Sequence, residues 1–244
     1  MNLSEATTGW PPEKTVFPVP KVELRVLPEE HPVHIENIGE IRANWAREIA
    51  ANPALYDGRM VLHRRVSVGS DGVFSEAHLI PFSTFMWWRR QASREGAFHI
   101  FGYAVIATAD DALVAIRMGQ HTANAGQVYF AAGSLDENDI VDGYCDMESN
   151  MRREVQEETG LDLRDAVAEG GYHATHLQRA VTVFRVFRFP WSAEEIVARI
   201  ERHMPVADDK EIAGAVIIRS ADPGAASYHA SMLPILDWYF GGRH

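Results

Sequence analysis

Apolar positions follow three different spacings along this chain. Up to about Val33 they are scattered among Pro11, Pro12, Pro18, Pro20, Pro28 and Pro32. Prolines at that density resist regular structure, so the segment reads as an extended arm with one strand at Val22-Glu23-Leu24-Arg25-Val26. Ile38, Ile41, Trp45 and Ile49 then recur close to the helical period, and Asn52-Pro53 ends that helix near Ala51. Residues 59–68 and 73–80 are β-rich around Gly69-Ser70-Asp71-Gly72, a hairpin signal, and 83–94 suit a short helix.

From Ile100 the pattern changes to strands with short turns. Residues 101–109 and 112–118 flank Asp110-Asp111 as a hairpin of two largely buried strands, and 128–130 form a short strand leading to Gly133. A polar helix is expected from near Asp146 to Gly160, where glycine stops it. The β-rich run 180–189 ends at Pro190, and Ser192 with Glu195 makes a capping box for a helix through about Arg202. A strand over 213–219 and a helix over 232–240 close the chain. The class is α+β, a mixed sheet flanked by helices, divided into a smaller N-terminal arm and lobe (1–97) and a main domain (98–244).

The polar helix carries the chemistry. Glu154, Glu157 and Glu158 stand at i, i+3 and i+4, so at about 100° per residue they share one face. Like charges at that spacing repel and weaken a helix. A hard divalent cation, which prefers carboxylate oxygen and water, removes the repulsion. Read without a cation, the same residues are a solvated acidic helix end.

Arg153-Glu154-Val155-Gln156-Glu157-Glu158-Thr159-Gly160-Leu161 resembles the second half of the Nudix box, G-x5-E-x7-R-E-U-x-E-E-x-G-U, at every specified position. The first half departs from it. Tyr129-Phe130-Ala131-Ala132-Gly133 is similar to the family's F-P-G-G entry with alanines for the proline and first glycine, and the connection from Gly133 to Arg153 is six residues too long. The pattern's first Glu falls on Cys145, where the neighbouring Asp146 is expected to replace it as partner of Arg153. The extra acidic residues Asp136, Glu137, Asp139 and Asp142 suggest a solvated excursion at the site mouth.

The resemblance implies a Nudix α/β/α sandwich and an Mg²⁺-dependent pyrophosphohydrolase, with Mn²⁺ as an alternative ion. It implies metal at Glu154, Glu157, Glu158 and the backbone of Ala132, with Arg153, Gly133 and Gly160 supporting the site. Glu157 and Glu158 carry catalysis with a general base, for which Glu211 in Asp208-Asp209-Lys210-Glu211 is best placed. The substrate class is a nucleoside diphosphate linked to another moiety. Nucleotide sugars come first, because Asn52-Pro53-Ala54-Leu55-Tyr56-Asp57-Gly58 is similar to a string preceding the domain in UDP-sugar-directed relatives. The same string reads equally as a helix stop and turn. A coenzyme A diphosphatase is the alternative, since Gly126 to Asp139 faintly follows that group's G-E-V-x-F-P-G-G-x-x-D-x-x-D. A non-catalytic nucleotide-binding regulator is a third reading, opposed by the intact glutamates.

Charge and composition narrow the partners. A net charge of −11 argues against a non-specific nucleic-acid binder. It leaves room for a small anionic substrate held through a cation. The single Cys145 forms no internal disulfide, which fits a cytoplasmic protein, and neither a membrane span nor a signal peptide is evident from Met1 onward. A homodimer stays open. Phe85-Met86-Trp87-Trp88-Arg89-Arg90 offers aromatics for a base and cations for phosphate, with packing the preferred use. His173 and His176, at helical i, i+3 spacing, lack a further metal ligand.

Overall fold

The computed structural model describes residues 3–207 and 210–242, so Met1, Asn2, Asp208 and Asp209 of the expectations above lie outside the described residues. After β1 (Phe17–Val19) and β2 (Val22–Leu27) come α1 (Pro32–Glu36), α2 (Ile38–Ala51), β3 (Arg59–Gly69), β4 (Gly72–Pro81) and α3 (Phe82–Trp88). The chain continues through β5 (His99–Ala107), β6 (Leu113–Met118), β7 (Val128–Tyr129), β8 (Ile140–Val141), β9 (Tyr144–Cys145) and α4 (Met147–Thr159). It ends with β10 (Val167–Leu177), β11 (Ala180–Arg188), α5 (Ala193–His203), β12 (Ile212–Ile218) and α6 (Leu233–Phe240). The α+β class expected from the pattern is the one found.

There are two mixed sheets. The larger runs β1-β10-β11-β5-β6-β12, with β7 on β6, and is antiparallel except for β11 beside β5. Successive residues of a strand face opposite ways, which sets the layers. Gly102 of β5 faces α4, since a Cβ there would meet the side chains of Met147 and Met151. The next residue, Tyr103, faces the other way and bonds Ser231, while its neighbour Phe184 packs on Trp238 of α6. The sheet is thus sandwiched between α4 and α6. Val155, Phe184, Ile196 and Ile235 are all fully buried in the core that results.

The smaller sheet runs β3-β4-β2-β9-β8. Its strands come from distant parts of the chain, because β2 pairs with β9 at Arg25↔Tyr144. A second, smaller apolar cluster joins Val33, Met60, Leu62, Ile80, Phe85, Trp88 and Ala97. Packing therefore uses all three aromatics of the 85–90 segment, Phe85 and Trp88 inside the cluster and Trp87 against it. No helix among the described residues is long and apolar enough to cross a membrane.

One irregularity positions the site. β5 and β6 pair only beside their turn, at Ile106↔Val114 and Ala107↔Leu113. Beyond it they part, β6 taking β7 at Ile116↔Tyr129 while Phe101 of β5 bridges to Ser134. The segment Tyr129–Ser134 is thus wedged between the splayed strands, satisfying backbone groups that would otherwise be orphaned.

Three expectations need correction. α3 stops at Trp88 rather than near Arg94, because the Trp88 indole N–H bonds the Arg94 carbonyl at 2.9 Å and folds the chain back. Residues 167–177 form a strand that the pattern did not announce, so His173 and His176 lie on a strand and not a helix. The acidic 134–146 connection is folded rather than a solvated excursion. Leu135 and Asp139 are 1% and 3% exposed, and an Asp142-Gly143 hairpin turn joins β8 to β9.

Candidate functional site

α4 is anchored at both ends. The Asp146 carboxylate accepts the Ser149 N–H at 3.0 Å as an N-cap, and Gly160 ends the helix at φ 69°. Met147, Met151 and Val155 bury one face against β5, which turns Glu154 and Glu158 toward the wedge at Ala132–Ser134. The Ala132 N–H donates to Glu158 Oε2 at 2.9 Å, so Ala132 meets the acids through its N–H. Gly133 lies against Glu154 so closely that any Cβ there would collide with the carboxylate. That approach is what the glycine permits.

Arg153 ties these pieces together. Its Nη2 reaches both oxygens of Asp139 at 3.2 Å, and its Nη1 lies 2.8 Å from Glu154 Oε1 and 3.1 Å from Glu157 Oε2. The expected partner Asp146 is spent on the helix cap, and Asp139 takes its place. Asp139 is held in turn by the Asn150 side-chain amide and the Asp136 N–H, both at 2.9 Å. A buried carboxylate so fully bonded fixes the arginine fork. Asp139→Asn is therefore expected to cut turnover roughly tenfold or more and lower the melting temperature, since it leaves Arg153 short of its buried partner. Arg153→Lys, which keeps the charge and loses the fork, should reduce turnover with a smaller loss of melting temperature. Activity equal to wild type in both would remove Arg153 and Asp139 from the machinery.

The acids face an open cleft of about 770 Å³, lined also by Arg153, Lys210 and Glu211. Burial pushes Glu154 up to about 8 against the pull of Arg153, with Glu157, Asp139 and Glu211 adding repulsion. Burial, then Glu154 and Glu211, hold Glu158 well above the usual carboxylate range. Glu157 is half exposed, turned toward Arg153. Glu211 enters the cleft just before β12, its carbonyl accepting the Gly119 N–H at 2.6 Å. Among the described residues no three Asp, Glu, His or Cys side chains form a ready metal cluster. Arg153 draws Glu154 and Glu157 to itself, and Glu158 takes the Ala132 N–H.

The Asn52–Gly58 string borders the same cleft. Asn52 Nδ2 donates to the His121 carbonyl and Asp57 Oδ1 accepts the Ser83 N–H, both at 2.7 Å. Those bonds present Tyr56, 84% exposed, at the rim. The remaining candidates lie elsewhere. His173 stacks on Phe184, His176 bonds the Pro11 carbonyl, and burial with Asp139 pushes the Cys145 thiol up to about 12.

Sequence reasoning missed Asp139 as the clamp, although Asp136 and Asp139 have the spacing of a capping box, and they form one.

No family model matches the sequence, and no curated protein matches it either. Among solved structures, DR0079 from Deinococcus radiodurans is 10% identical, covering 58% of this chain and 83% of its own at a TM-score of 0.42. A MutT protein from Methanosarcina mazei Go1 is 19% identical, covering 58% and 92% at a TM-score of 0.38. The Escherichia coli ORF135 protein is 11% identical, covering 59% and 91% at a TM-score of 0.35. At such identity and overlap the likeness assigns neither activity nor substrate to this chain.

Proposed function

We propose that the cleft hydrolyses the diphosphate of a nucleoside diphosphate linked to another moiety, as a Mg²⁺-dependent pyrophosphohydrolase of the Nudix type. The observation that carries the reading is the convergence of Glu154 and Glu158 on the Ala132-Gly133 wedge, with Arg153 locked behind them by Asp139. The donor set fits a divalent cation, because it offers hard carboxylate oxygens whose ionisation burial and mutual repulsion oppose. Glu154, Glu157 and Glu158 would hold the ion, with Mn²⁺ an acceptable substitute. A cation there supplies neutralisation of diphosphate charge and acidification of water.

The chain's own groups do the rest. Glu211, close enough to Glu154 and Glu158 to raise both, takes up the proton of the attacking water as the cleft base. Arg153 sets the position of Glu154 and Glu157, and Lys210 at the cleft wall adds positive charge for a phosphate oxygen. Nucleotide sugars lead the candidate substrates on the strength of the Asn52–Gly58 string at the rim.

Nucleotide sugars, coenzyme A, dinucleotides and NADH, incubated with Mg²⁺ or with EDTA, test this directly. Expected is a nucleoside monophosphate and a phosphorylated second product, lost in EDTA. Turnover of none of them, or turnover unchanged by EDTA, overturns the reading.

A further inference from the structure

A side pocket of about 240 Å³ opens from the carboxylate cleft, sharing Asn124, Tyr129 and the Ala132–Ser134 wedge with it. Its walls include Phe82, Phe85, Phe101 and Tyr103, yet it also holds two guanidiniums, Arg89 and Arg94. No Asp or Glu lines it, although the protein carries a net charge of −11.

Neither arginine belongs to an ion pair among the described residues. Arg89 Nη2 donates to Asn124 Oδ1 at 3.1 Å and its guanidinium lies 5.6 Å from the Phe85 ring centre. Arg94 Nε donates to the Arg89 carbonyl at 3.1 Å. The nearby acid of α2, Glu48, is bound through both oxygens to Arg90 instead. His99, also in the wall, has a buried Nε2 with no hydrogen-bond partner. A desolvated cation without a carboxylate is costly, and the cost is relieved when an anion enters.

We propose that this pocket binds an anionic group, a carboxylate or a phosphomonoester, carried by one of the two moieties that the substrate's diphosphate joins. Arg89 is then the specificity-determining residue, with Arg94 in support. The inference rests on the diphosphatase reading above and goes beyond it by naming the chemistry of one of the two moieties. Aromatic walls keep water out and strengthen the ion pair. The acids of the adjoining cleft would repel a second anion, so the cations are required to seat one. A neutral moiety leaves both guanidiniums as they are.

Substrate pairs that differ in one anionic group test this without altering the protein: UDP-glucuronate against UDP-glucose, coenzyme A against dephospho-coenzyme A, and NADPH against NADH. With Mg²⁺, kcat/KM of the anionic member is expected to be about tenfold higher or more in at least one pair, the worth of one charge-assisted hydrogen bond. The pair that responds tells carboxylate from phosphate. Arg89→Gln and Arg94→Gln should each shrink that ratio, mainly through KM, with the melting temperature kept. Neutral members used as well as anionic ones in all three pairs would overturn the inference. A ratio unchanged in a folded Arg89→Gln protein would overturn it too. If nothing is hydrolysed, the diphosphatase reading fails, and calorimetric titration of the same pairs decides this one: tighter binding of an anionic member that Arg89→Gln abolishes supports it, and equal binding ends it.

Discussion

Replacing Glu158 with glutamine is expected to lower turnover by about 10²–10³ while the fold survives. The amide matches the carboxylate in shape and still accepts the Ala132 N–H, so the wedge stays in place. What disappears is one charge in a cleft where burial makes charge effective, the loss expected of one preorganised electrostatic group, about 3–4 kcal/mol. Stability should move the other way in metal-free protein. A carboxyl whose folded pKa is raised stabilises at low pH and loses that contribution as pH rises through its folded value. Glu158→Gln removes a titration that penalises the folded state in alkaline buffer. It should therefore melt no lower than wild type there. Mg²⁺ should raise the melting temperature of wild type, more so at alkaline pH where protons compete less, and do so much less in Glu158→Gln. Near-normal turnover in both Glu158→Gln and Glu154→Gln would dispose of the catalytic assignment.

How far the chain could be read in advance depended on the range of the interactions. α4 was legible because its signals are local: carboxylates at helical spacing, a capping aspartate and a terminal glycine. The capping box of Ser192 and Glu195 and the apolar runs of β5, β6 and β11 were legible for the same reason. Asp139 was not, because its approach to Arg153 depends on a hairpin whose place is set by Arg25↔Tyr144, a contact across more than a hundred residues. β10 was hidden by a register shift between Glu169 and His173, where Gly170-Gly171 breaks the alternation. The side pocket was hidden too, since whether Arg89 faces it depends on where α3 stops, and a bond from Trp88 to a later carbonyl settles that.

Acid should destabilise this protein at pH values where its unperturbed carboxylates are still ionised. His31, His63 and His78 are almost wholly buried, and with His99 they form a cluster in which every Nε2 lacks a hydrogen-bond partner. The His31 and His78 rings lie 5.2 Å apart, His63 Nδ1 is 2.8 Å from Ser75 Oγ, and His31 Nδ1 accepts the Val33 N–H. His31 and His63 therefore each have a place as a neutral group and none as a cation. Burial lowers His31, His63 and His99 to about 3, reinforced by His78 and Arg64 at His31, by His99 and His31 at His63, and by Arg89 and His229 at His99. A histidine with a lowered folded pKa stabilises above its unfolded value and loses that contribution as pH falls from about 6.5 toward 3. At about pH 5 the loss is about 2 kcal/mol for each fully buried ring, so His31 and His63 together reach about 4 kcal/mol, a large share of ordinary stability. Asp110 and Asp162, held down to about 2 by Thr108 and Arg164, lose their contribution only at lower pH. The window above about pH 4.5 therefore belongs to the histidines. Melting temperature should fall by roughly 10 °C between about pH 7 and pH 5 through this term. The raised acids of the cleft act in the opposite sense over part of that range, so the comparison is made against His63→Leu, which keeps those acids and removes one buried ring. His63→Leu should start lower, having left Ser75 unpaired, and lose less on acidification. Parallel melting curves for the two proteins across that range would show that the cluster does not govern acid stability.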